Sequence, residues 1–324
     1  MALTILKVGR FDMLPYLEQE LKARGDYYVD TKLTDTQRAQ IRAKTDIVVA
    51  SGGSQFQAED FDSAPNLKAI VCFSVGYDGI NVEEAIKRNI FVTHTPDVLN
   101  DDVANTALML MLNCTREFKA NQDYIEQGKW GKAAPYPLTT SIGHKKLGIA
   151  GFGRIGKEIA ARAAAFKMEI GYFGRHQQEG VAYPYFSSLK DLATWADILM
   201  LAMPASSENK HCVNKEILTA LGADGYLVNI ARGSIVNTED LIYCLQNKII
   251  AGAALDVYEN EPNVPSELMG LPNVALQPHI GSATNETRTA MAQLVIDNLD
   301  AILQGRQVIT PVPGTRAIVN EINN

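Results

Sequence analysis

The chain has 324 residues, of which 46% are hydrophobic and 21% charged, and its formal net charge at pH 7 is −7. This length favours two domains over one, and the composition is typical of a globular enzyme. Because the negative charge comes without a Lys/Arg cluster, a nucleic acid or an anionic membrane surface is a poor candidate partner, and a small molecule is expected. No apolar run is as long as a membrane span, and no basic-then-apolar signal pattern opens the chain, so we expect a cytoplasmic protein.

Cysteine usage gives no indication of a metal centre or a disulfide framework. Cys72, Cys114, Cys212 and Cys244 lie in apolar or helical surroundings and lack the Cys-x-x-Cys spacing of zinc sites. We therefore expect buried free thiols and no metal ion.

The N-terminal part of the chain alternates between β-rich runs and segments of helical character, such as Leu14 to Ala23. Alternation of this kind predicts a parallel sheet. After Thr95 the pattern changes to one long apolar helix, predicted over 101–127 and ended by Gly128, and a domain boundary is expected there. The predicted strands are 3–8, 27–30, 46–50, 68–72 and 91–93.

A second alternating series begins at Leu147, and its six predicted parallel strands fit a dinucleotide-binding domain. The last helix, predicted over 285–303, is followed by an extended tail at 310–314 that we expect to fold back against the first domain. The strands of this series are predicted near 147–150, 169–173, 197–201, 226–229, 251–254 and 274–276.

The sequence thus predicts an α/β protein with two Rossmann-like domains, each containing a parallel sheet. A dinucleotide-binding domain, residues 99–287, is expected to be inserted into a flavodoxin-like substrate domain. The substrate domain would comprise residues 1–98 and 288–324.

Residues 147–160 contain a Gly-x-Gly-x-x-Gly motif, which follows an apolar run and leads into a helix-forming segment. Gly151 allows a tight turn, Gly153 lets the backbone approach a pyrophosphate, and Gly156 lets the helix pack on the strand. The N-terminus of the helix offers unpaired N–H groups to phosphates. Because strand, turn and helix are all present, the motif predicts a dinucleotide site and not merely a turn.

The end of the second strand of this series indicates which dinucleotide is bound. Domains selective for NAD carry Asp or Glu there, which accepts hydrogen bonds from the ribose hydroxyls. This chain has Gly174, Arg175 and His176 instead. A guanidinium can bind a 2′-phosphate through charge-assisted hydrogen bonds, so NADP(H) is predicted over NAD(H).

Arg232 follows a predicted strand, at the sheet edge where open α/β sheets bind ligands. A planar cation there can bind a substrate carboxylate and polarise a neighbouring carbonyl, both of which a 2-oxo acid offers. A surface salt bridge is the alternative for this arginine taken alone.

His279 follows the last predicted strand, and Glu261 follows the strand before it. A carboxylate next to an imidazole stabilises the protonated ring, which can then donate a proton near neutral pH. A local hydrogen bond in a loop would explain an isolated histidine equally well. With the glycine motif and Arg232 present, we interpret Glu261 and His279 as an acid–base pair.

At these motifs the sequence resembles the D-isomer-specific 2-hydroxyacid dehydrogenase family, and more closely its branch of NADPH-dependent glyoxylate/hydroxypyruvate and hydroxyphenylpyruvate reductases. The resemblance covers nearly the whole chain. Besides the glycine motif, it depends on five segments, VCFSVGYD at 71–78, TPDVLNDDVA at 95–104, ARG at 231–233, LDVYENEP at 255–262 and PHIGS at 278–282.

The resemblance implies a division of labour among three side chains. Arg232 would bind and polarise the substrate, and Glu261 would tune His279. His279 would donate a proton while the nicotinamide delivers a hydride, so that a small 2-oxo acid becomes a D-2-hydroxy acid.

The resemblance also implies the binding residues around this trio. Backbone N–H groups around Val75 and Gly76, with Ser74 beside them, would hold the substrate carboxylate. Asp256 would lie near the nicotinamide carboxamide, and Pro204 would line the adenosine side. The implied cofactor contacts are Gly151, Phe152, Gly153, Arg154, Ile155, Gly156, Gly174, Arg175, His176, Pro204, Ile230, Ala231, Asp256 and Val103.

Two other functions stay open at this stage. One is a non-catalytic, corepressor-like sensor of nucleotide state that keeps the dinucleotide fold, although the intact trio argues against it. The other is an enzyme of the same fold with a different acceptor, such as an inorganic oxyanion or an aryl pyruvate like hydroxyphenylpyruvate, and only the shape of the pocket would distinguish these substrates.

The long apolar helix and the arm that follows it, containing Trp130 and Tyr136, predict a homodimer because exposed apolar arms need covering. The resemblance further implies that Trp130 reaches the substrate site of the partner.

Overall fold

The computed structural model of the protein describes residues 3–132 and 134–318. The chain forms two compact units. Unit 1 comprises Met1–Leu99 and Thr284–Asn324, and unit 2 comprises Asn100–Ala283. Among the described residues, no helix is both long and apolar enough to cross a membrane.

Unit 1 contains a parallel five-stranded sheet with the strand order β2-β1-β3-β4-β5. This is the flavodoxin-like order that the sequence predicts for the first domain. The strands are β1 (Thr4–Lys7), β2 (Asp26–Val29), β3 (Ile47–Ala50), β4 (Ala69–Cys72) and β5 (Phe91–Thr93), and the helices between them are α1 (Pro15–Arg24), α2 (Asp35–Arg42), α3 (Ala58–Asp62) and α4 (Val82–Lys87).

The central strands of unit 1 show why this part of the sequence forms a covered sheet. Every residue of β3 and β4 is buried, which requires packing on both faces, whereas the edge strand β2 is only partly buried. A run of consecutive apolar residues suits a parallel strand that is covered on both faces.

Unit 2 contains a parallel seven-stranded sheet with the order β12-β11-β10-β9-β6-β7-β8. Its strands are β6 (Lys146–Ala150), β7 (Glu169–Phe173), β8 (Tyr185–Phe186), β9 (Ile198–Leu201), β10 (Tyr226–Asn229), β11 (Gly252–Leu255) and β12 (Val274–Leu276). Its helices are α5 (Asn100–Thr115), α6 (Phe118–Glu126), α7 (Arg154–Ala165), α8 (Leu189–Trp195), α9 (Lys215–Leu221), α10 (Thr238–Gln246) and α11 (Ser266–Met269).

The strand order of unit 2 is that of a doubly wound dinucleotide fold, with the direction of winding reversed between β6 and β9. The predicted fold class is therefore confirmed. The predicted number of six strands is wrong, because β8 adds a seventh at the edge. This strand has only two residues, paired with Tyr172 and Phe173, and is too short to produce a period-two pattern.

The prediction of a single helix over 101–127 is also wrong, because this region forms two helices, α5 and α6. Glu117 between them has a left-handed backbone with φ of 50°. The side-chain amide of Asn121 donates to the carbonyl oxygens of Arg116 and Glu117 at 2.7 and 2.9 Å. Apolar residues continue across the break, so the periodicity alone does not reveal it.

The chain returns to unit 1 through α12 (Asn285–Leu303), as the sequence predicts. Asn298, fully buried in this helix, accepts hydrogen bonds from the backbone N–H groups of Ile309 and Thr310, both at 3.0 Å. The tail then runs along β5, where the N–H of Val312 donates to the carbonyl of Val92 at 2.8 Å. The predicted return of the tail to the first domain is thus confirmed.

Candidate active site

In unit 2 the predicted site residues gather at one edge of the sheet. Parallel strands end at the same edge, and in open α/β sheets ligands bind there, beside the point where the strand order reverses. The segments that follow the strands are 151–156 after β6, 174–176 after β7, Pro204 after β9, 230–232 after β10, Asp256 and Glu261 after β11, and His279 after β12.

The three glycines of the motif differ in what surrounds them. Gly151 has a φ of 99°, and a Cβ there would lie 2.5 Å from the backbone nitrogen of Met203. A Cβ on Gly156 would lie 2.3 Å from the carbonyl oxygen of Gly151. A Cβ on Gly153 would meet no atom within 4 Å. Gly151 and Gly156 are therefore needed for packing within the chain, whereas Gly153 faces open space.

That open space lies at the N-terminus of α7, where an anion is favoured. Gly153 is the N-cap and has no side chain to accept from the first N–H groups of the helix, which belong to Arg154, Ile155 and Gly156. Phe152 is buried beneath the turn. The residues present therefore fit the pyrophosphate of a dinucleotide.

After β7 the structure places Gly174 half-buried and Arg175 and His176 in solvent. The Tyr185 hydroxyl donates to the carbonyl of Gly174 at 3.2 Å. No carboxylate lies between the end of β7 and Glu179. The end of this strand therefore carries cationic and neutral groups and no carboxylate.

Arg232 is placed by a tight turn after β10. The buried side chain of Asn229 accepts from the N–H of Ala231 and donates to the carbonyl of Arg232, both at 3.0 Å. A Cβ on Gly233 would lie 1.8 Å from the carbonyl carbon of Tyr258, so only glycine allows this approach. The Arg232 turn thus packs directly on the segment that follows β11.

That segment ends in Glu261, which bonds to His279. The Glu261 carboxylate accepts from the N–H of Tyr258 at 2.9 Å, and its other oxygen lies 2.7 Å from Nδ1 of His279. Burial on its own raises the pKa of the Glu261 carboxyl, but the bonds from His279 and Tyr258 and the charge of Arg232 hold that pKa below its usual value. An ionised carboxylate only accepts, so Nδ1 carries a proton and Nε2 is left for a substrate.

The turn that carries His279 is held by Asp256. His279 has a left-handed backbone with φ of 54°. Both oxygens of the buried Asp256 accept from this turn, one from Ile280 N–H and the other from Gly281 N–H, each at 2.8 Å. Burial raises the pKa of Asp256, and these two bonds counteract the rise. A Cβ on Gly281 would touch Val103 at 3.6 Å, which places α5 beside the same turn.

The predicted carboxylate-binding loop follows β4 in unit 1. The Ser74 hydroxyl donates to the carbonyl of Gly76 at 2.6 Å, and the carbonyl of Val75 lies 2.9 Å from Nδ1 of His94. Within the part of the chain that the structure describes, the N–H groups of Val75 and Gly76 have no acceptor. They are suited to bind an anion.

Sequence reasoning missed two residues of these regions. Asn229 shapes the Arg232 turn. Its position two residues before the ARG segment could have indicated this role. Arg288, in the first turn of α12, has its guanidinium carbon 5.6 Å from the centre of the Phe73 ring, next to the Val75 loop in the chain. Burial lowers the pKa of Arg288. Helical periodicity gave no reason to select this arginine.

In the described ranges, 3–132 and 134–318, no group of three or more His, Cys, Asp or Glu side chains could hold a metal ion.

Comparison with known proteins identifies the family. Residues 108–281 match the family model described as "D-isomer specific 2-hydroxyacid dehydrogenase, NAD binding domain". The chain belongs to this family, as the resemblance of its motifs predicts.

Three similar proteins cover most of the chain. Glyoxylate/hydroxypyruvate reductase A of Arabidopsis thaliana is 43% identical over 306 residues, which are 93% of this chain and 96% of the relative. The 2-ketogluconate reductase of Gluconobacter oxydans is 46% identical over 265 residues, 82% of this chain and 85% of the relative. The NADPH-dependent glyoxylate/hydroxypyruvate reductase of Sinorhizobium meliloti, solved with NADP and malonate, has a TM-score of 0.90 and 37% identity, with 98% of both chains covered.

The surroundings of the glycines generate a prediction that separates binding from stability. We expect Gly153→Ala to lower the free energy of unfolding by less than about 1 kcal/mol, because the added methyl meets no atom of the chain. The same change should weaken dinucleotide binding by about ten-fold or more, since the methyl occupies the pyrophosphate space. Gly156→Ala should cost about 1–3 kcal/mol of stability through overpacking.

Urea denaturation and calorimetric titration with NADP⁺ and NAD⁺ measure the two quantities. If Gly153→Ala were as destabilising as Gly156→Ala and bound dinucleotide normally, the space over Gly153 would not be the pyrophosphate site.

Proposed function

We propose that the protein is an NADP(H)-dependent reductase that converts small 2-oxo acids, such as glyoxylate and hydroxypyruvate, to D-2-hydroxy acids. The observation that carries the proposal is the 2.7 Å contact of Glu261 with His279, placed by β11 and β12 beside the Arg232 turn. The names of the Arabidopsis and Sinorhizobium relatives support this class of substrate. Unit 1 would bind the substrate, and unit 2 the dinucleotide.

The reduction needs a positive charge and a proton at the substrate carbonyl. When bound, NADPH supplies the hydride to the carbonyl carbon, and negative charge develops on the oxygen. Arg232 stabilises that charge, and Nε2 of His279 donates the proton. The Glu261 carboxylate is ionised at neutral pH, because its pKa is held low, and it therefore stabilises the charged imidazole through its contact with Nδ1. The N–H groups of Val75 and Gly76, with Ser74 shaping their loop, hold the substrate carboxylate.

The cofactor residues follow from the same edge of unit 2. We assign the pyrophosphate to 151–156 and the adenosine 2′-phosphate to 174–176. Pro204 would line the adenosine side. We assign the binding of the nicotinamide to Ile230, Ala231, Asp256 and Val103.

A non-catalytic nucleotide sensor would not need an acid–base pair. The Glu261–His279 bond and the closely packed Arg232 turn therefore favour an enzyme over a sensor. Rates with glyoxylate, hydroxypyruvate, 2-ketogluconate and 4-hydroxyphenylpyruvate, all measured with NADPH, would rank the substrates. Highest efficiency with the aryl substrate would replace the small 2-oxo acids in this proposal.

We also infer a homodimer in the cytoplasm. Large apolar side chains of unit 2 stand in solvent on α6 and the arm after it, where Phe118 and Ile125 are 60% and 59% exposed and Trp130 is 79% exposed. Such a surface is suited to a second copy of the chain. All four cysteines are free thiols, which agrees with a reducing compartment.

The proton donor is tested by His279→Asn. We expect the turnover number to fall by about two to four orders of magnitude, because the developing alkoxide loses its acid. The affinity for NADPH should change little, because His279 is assigned to the substrate and not to the dinucleotide. Turnover close to that of the unchanged enzyme would exclude His279 as the acid.

Replacing its partner by Glu261→Gln gives a pH-dependent test of the same pair. The pKa of Glu261 is held low by the bond from His279, so the carboxylate is ionised at neutral pH and favours the charged ring. Neutral Gln removes this negative charge, and the basic limb of the pH profile of the reduction rate should therefore move to lower pH. Movement of this basic limb to higher pH would contradict the pairing.

Cofactor preference is tested by comparing kcat/KM for the two reduced dinucleotides. We expect NADPH to exceed NADH by about ten-fold or more, because Arg175 can pair with the 2′-phosphate and residues 174–178 contain no carboxylate that would repel it. The double change Gly174→Asp with Arg175→Ala should move the preference towards NADH. Equal efficiencies in the unchanged enzyme would refute the assignment of NADP(H).

The oligomeric state is measured by light scattering at micromolar protein concentration. We expect twice the mass of one chain. The change Ile125→Glu places a charge on the exposed face of α6 and should shift the mass towards the monomer, whereas Lys248→Glu, at an exposed position after α10, serves as a charge control. A monomeric mass for the unchanged protein would reject the dimer.

A further inference from the structure

The segment that carries Arg175 and His176 is tied back to the glycine motif by one glutamine. The side-chain amide of Gln178 donates to the carbonyl of Phe152 at 2.7 Å. Its backbone N–H donates to the hydroxyl of Tyr172 at 2.8 Å. Phe152 is the residue between Gly151 and Gly153, so Gln178 joins the end of this segment to the predicted pyrophosphate turn.

Both acceptors belong to a fixed part of unit 2. Tyr172 is fully buried in β7, and its ring stacks on that of Phe152 with centroids 4.5 Å apart. Tyr183 packs edge-on against the same phenylalanine at 6.0 Å. The N–H of Gly151 donates to the carbonyl of Phe173 at 2.9 Å, which connects the turn to the strand. Gln178 is therefore anchored to the backbone of Phe152 and the hydroxyl of Tyr172, two residues whose rings are tightly packed.

The other end of the segment is held as well, by the bond from Tyr185 to the carbonyl of Gly174. Only residues 175–177 lie between the two fixed points, and all three are exposed. A loop this short, held at both ends, has few conformations to lose when it meets a ligand. Without the Gln178 anchor, the exposed arginine and histidine would have to be ordered by the ligand itself.

We propose that Gln178 is a positioning residue for cofactor selectivity, which holds residues 174–176 in the conformation that binds the adenosine 2′-phosphate. This inference rests on the proposed role of Arg175 and His176. It assigns a role in selectivity to a side chain that need not touch the phosphate. The bond from Gln178 to Phe152 links this segment to the turn assigned to the pyrophosphate.

The test compares two neighbouring glutamines. Gln178→Met keeps the length of the side chain and removes its donor, whereas Gln177→Met changes an exposed neighbour in the same way. We expect Gln178→Met to raise the KM for NADPH about three- to ten-fold, the effect of one neutral hydrogen bond, with kcat unchanged. The KM for NADH should stay within about two-fold. Gln177→Met should alter neither KM.

A binding measurement without catalysis uses 2′,5′-ADP and 5′-AMP, which differ by the 2′-phosphate. Calorimetry should show weaker binding of 2′,5′-ADP to Gln178→Met and unchanged binding of 5′-AMP. Tyr172→Phe, which keeps the stacked ring and removes the acceptor of the Gln178 N–H, should act in the same direction. Equal weakening of both ligands would mean that Gln178 only supports the fold, and would overturn the proposal.

A third comparison separates this inference from the cofactor assignment. If Arg175→Ala with His176→Ala leaves the KM for NADPH unchanged, the assignment of these residues to the 2′-phosphate fails. If that pair of changes raises the KM, Gln178→Met added to it should have no further effect. If Gln178→Met raised the KM for NADPH by the same factor in the double variant as in the unchanged enzyme, Gln178 would not act through the segment it anchors.

Discussion

The segment that follows β11 is the part of unit 2 on which the other residues at the carboxyl ends of the strands depend. It lies between two neighbours because β11 is flanked by β10 and β12 in the sheet. On one side its backbone at Tyr258 is so close to Gly233 that no side chain fits between them. On the other side Asp256 and Glu261 bond to the turn around His279. One segment thus fixes both the cation and the acid of the proposed reaction.

The hydroxyl of Tyr258 adds a second link across the same strands, because it donates to the carbonyl of Gln277 at 2.9 Å. Burial raises the pKa of Tyr258 to about 12, so the hydroxyl keeps its proton and remains a donor throughout the neutral range. Polar groups that are satisfied within a packed segment restrict the side chains they hold. The left-handed backbone of His279 is maintained by such contacts and not by its own preference.

The sequence was informative wherever function depends on the topology of a parallel sheet. Glu261 and His279 are 18 residues apart, yet both follow strands, and adjacent parallel strands bring their ends together; their contact could therefore be predicted. The break at Glu117 could not, because it depends on the Asn121 amide competing for carbonyls within a continuous apolar pattern. Contacts such as Gln178 with Phe152 depend on the path of a loop, which no periodicity encodes.

The return of the chain to unit 1 has a consequence for how the protein forms during synthesis. Every strand of unit 2 is made from one continuous stretch, so this unit can complete its sheet before α12 leaves the ribosome. Unit 1 can form its five strands early but cannot cover them, because the backbone bond from Val312 to Val92 and the packing of α12 on β4 require the end of the chain. Its five strands are made first and are the last to be covered, so the first 99 residues of the nascent chain must stay unaggregated until α12 has been made.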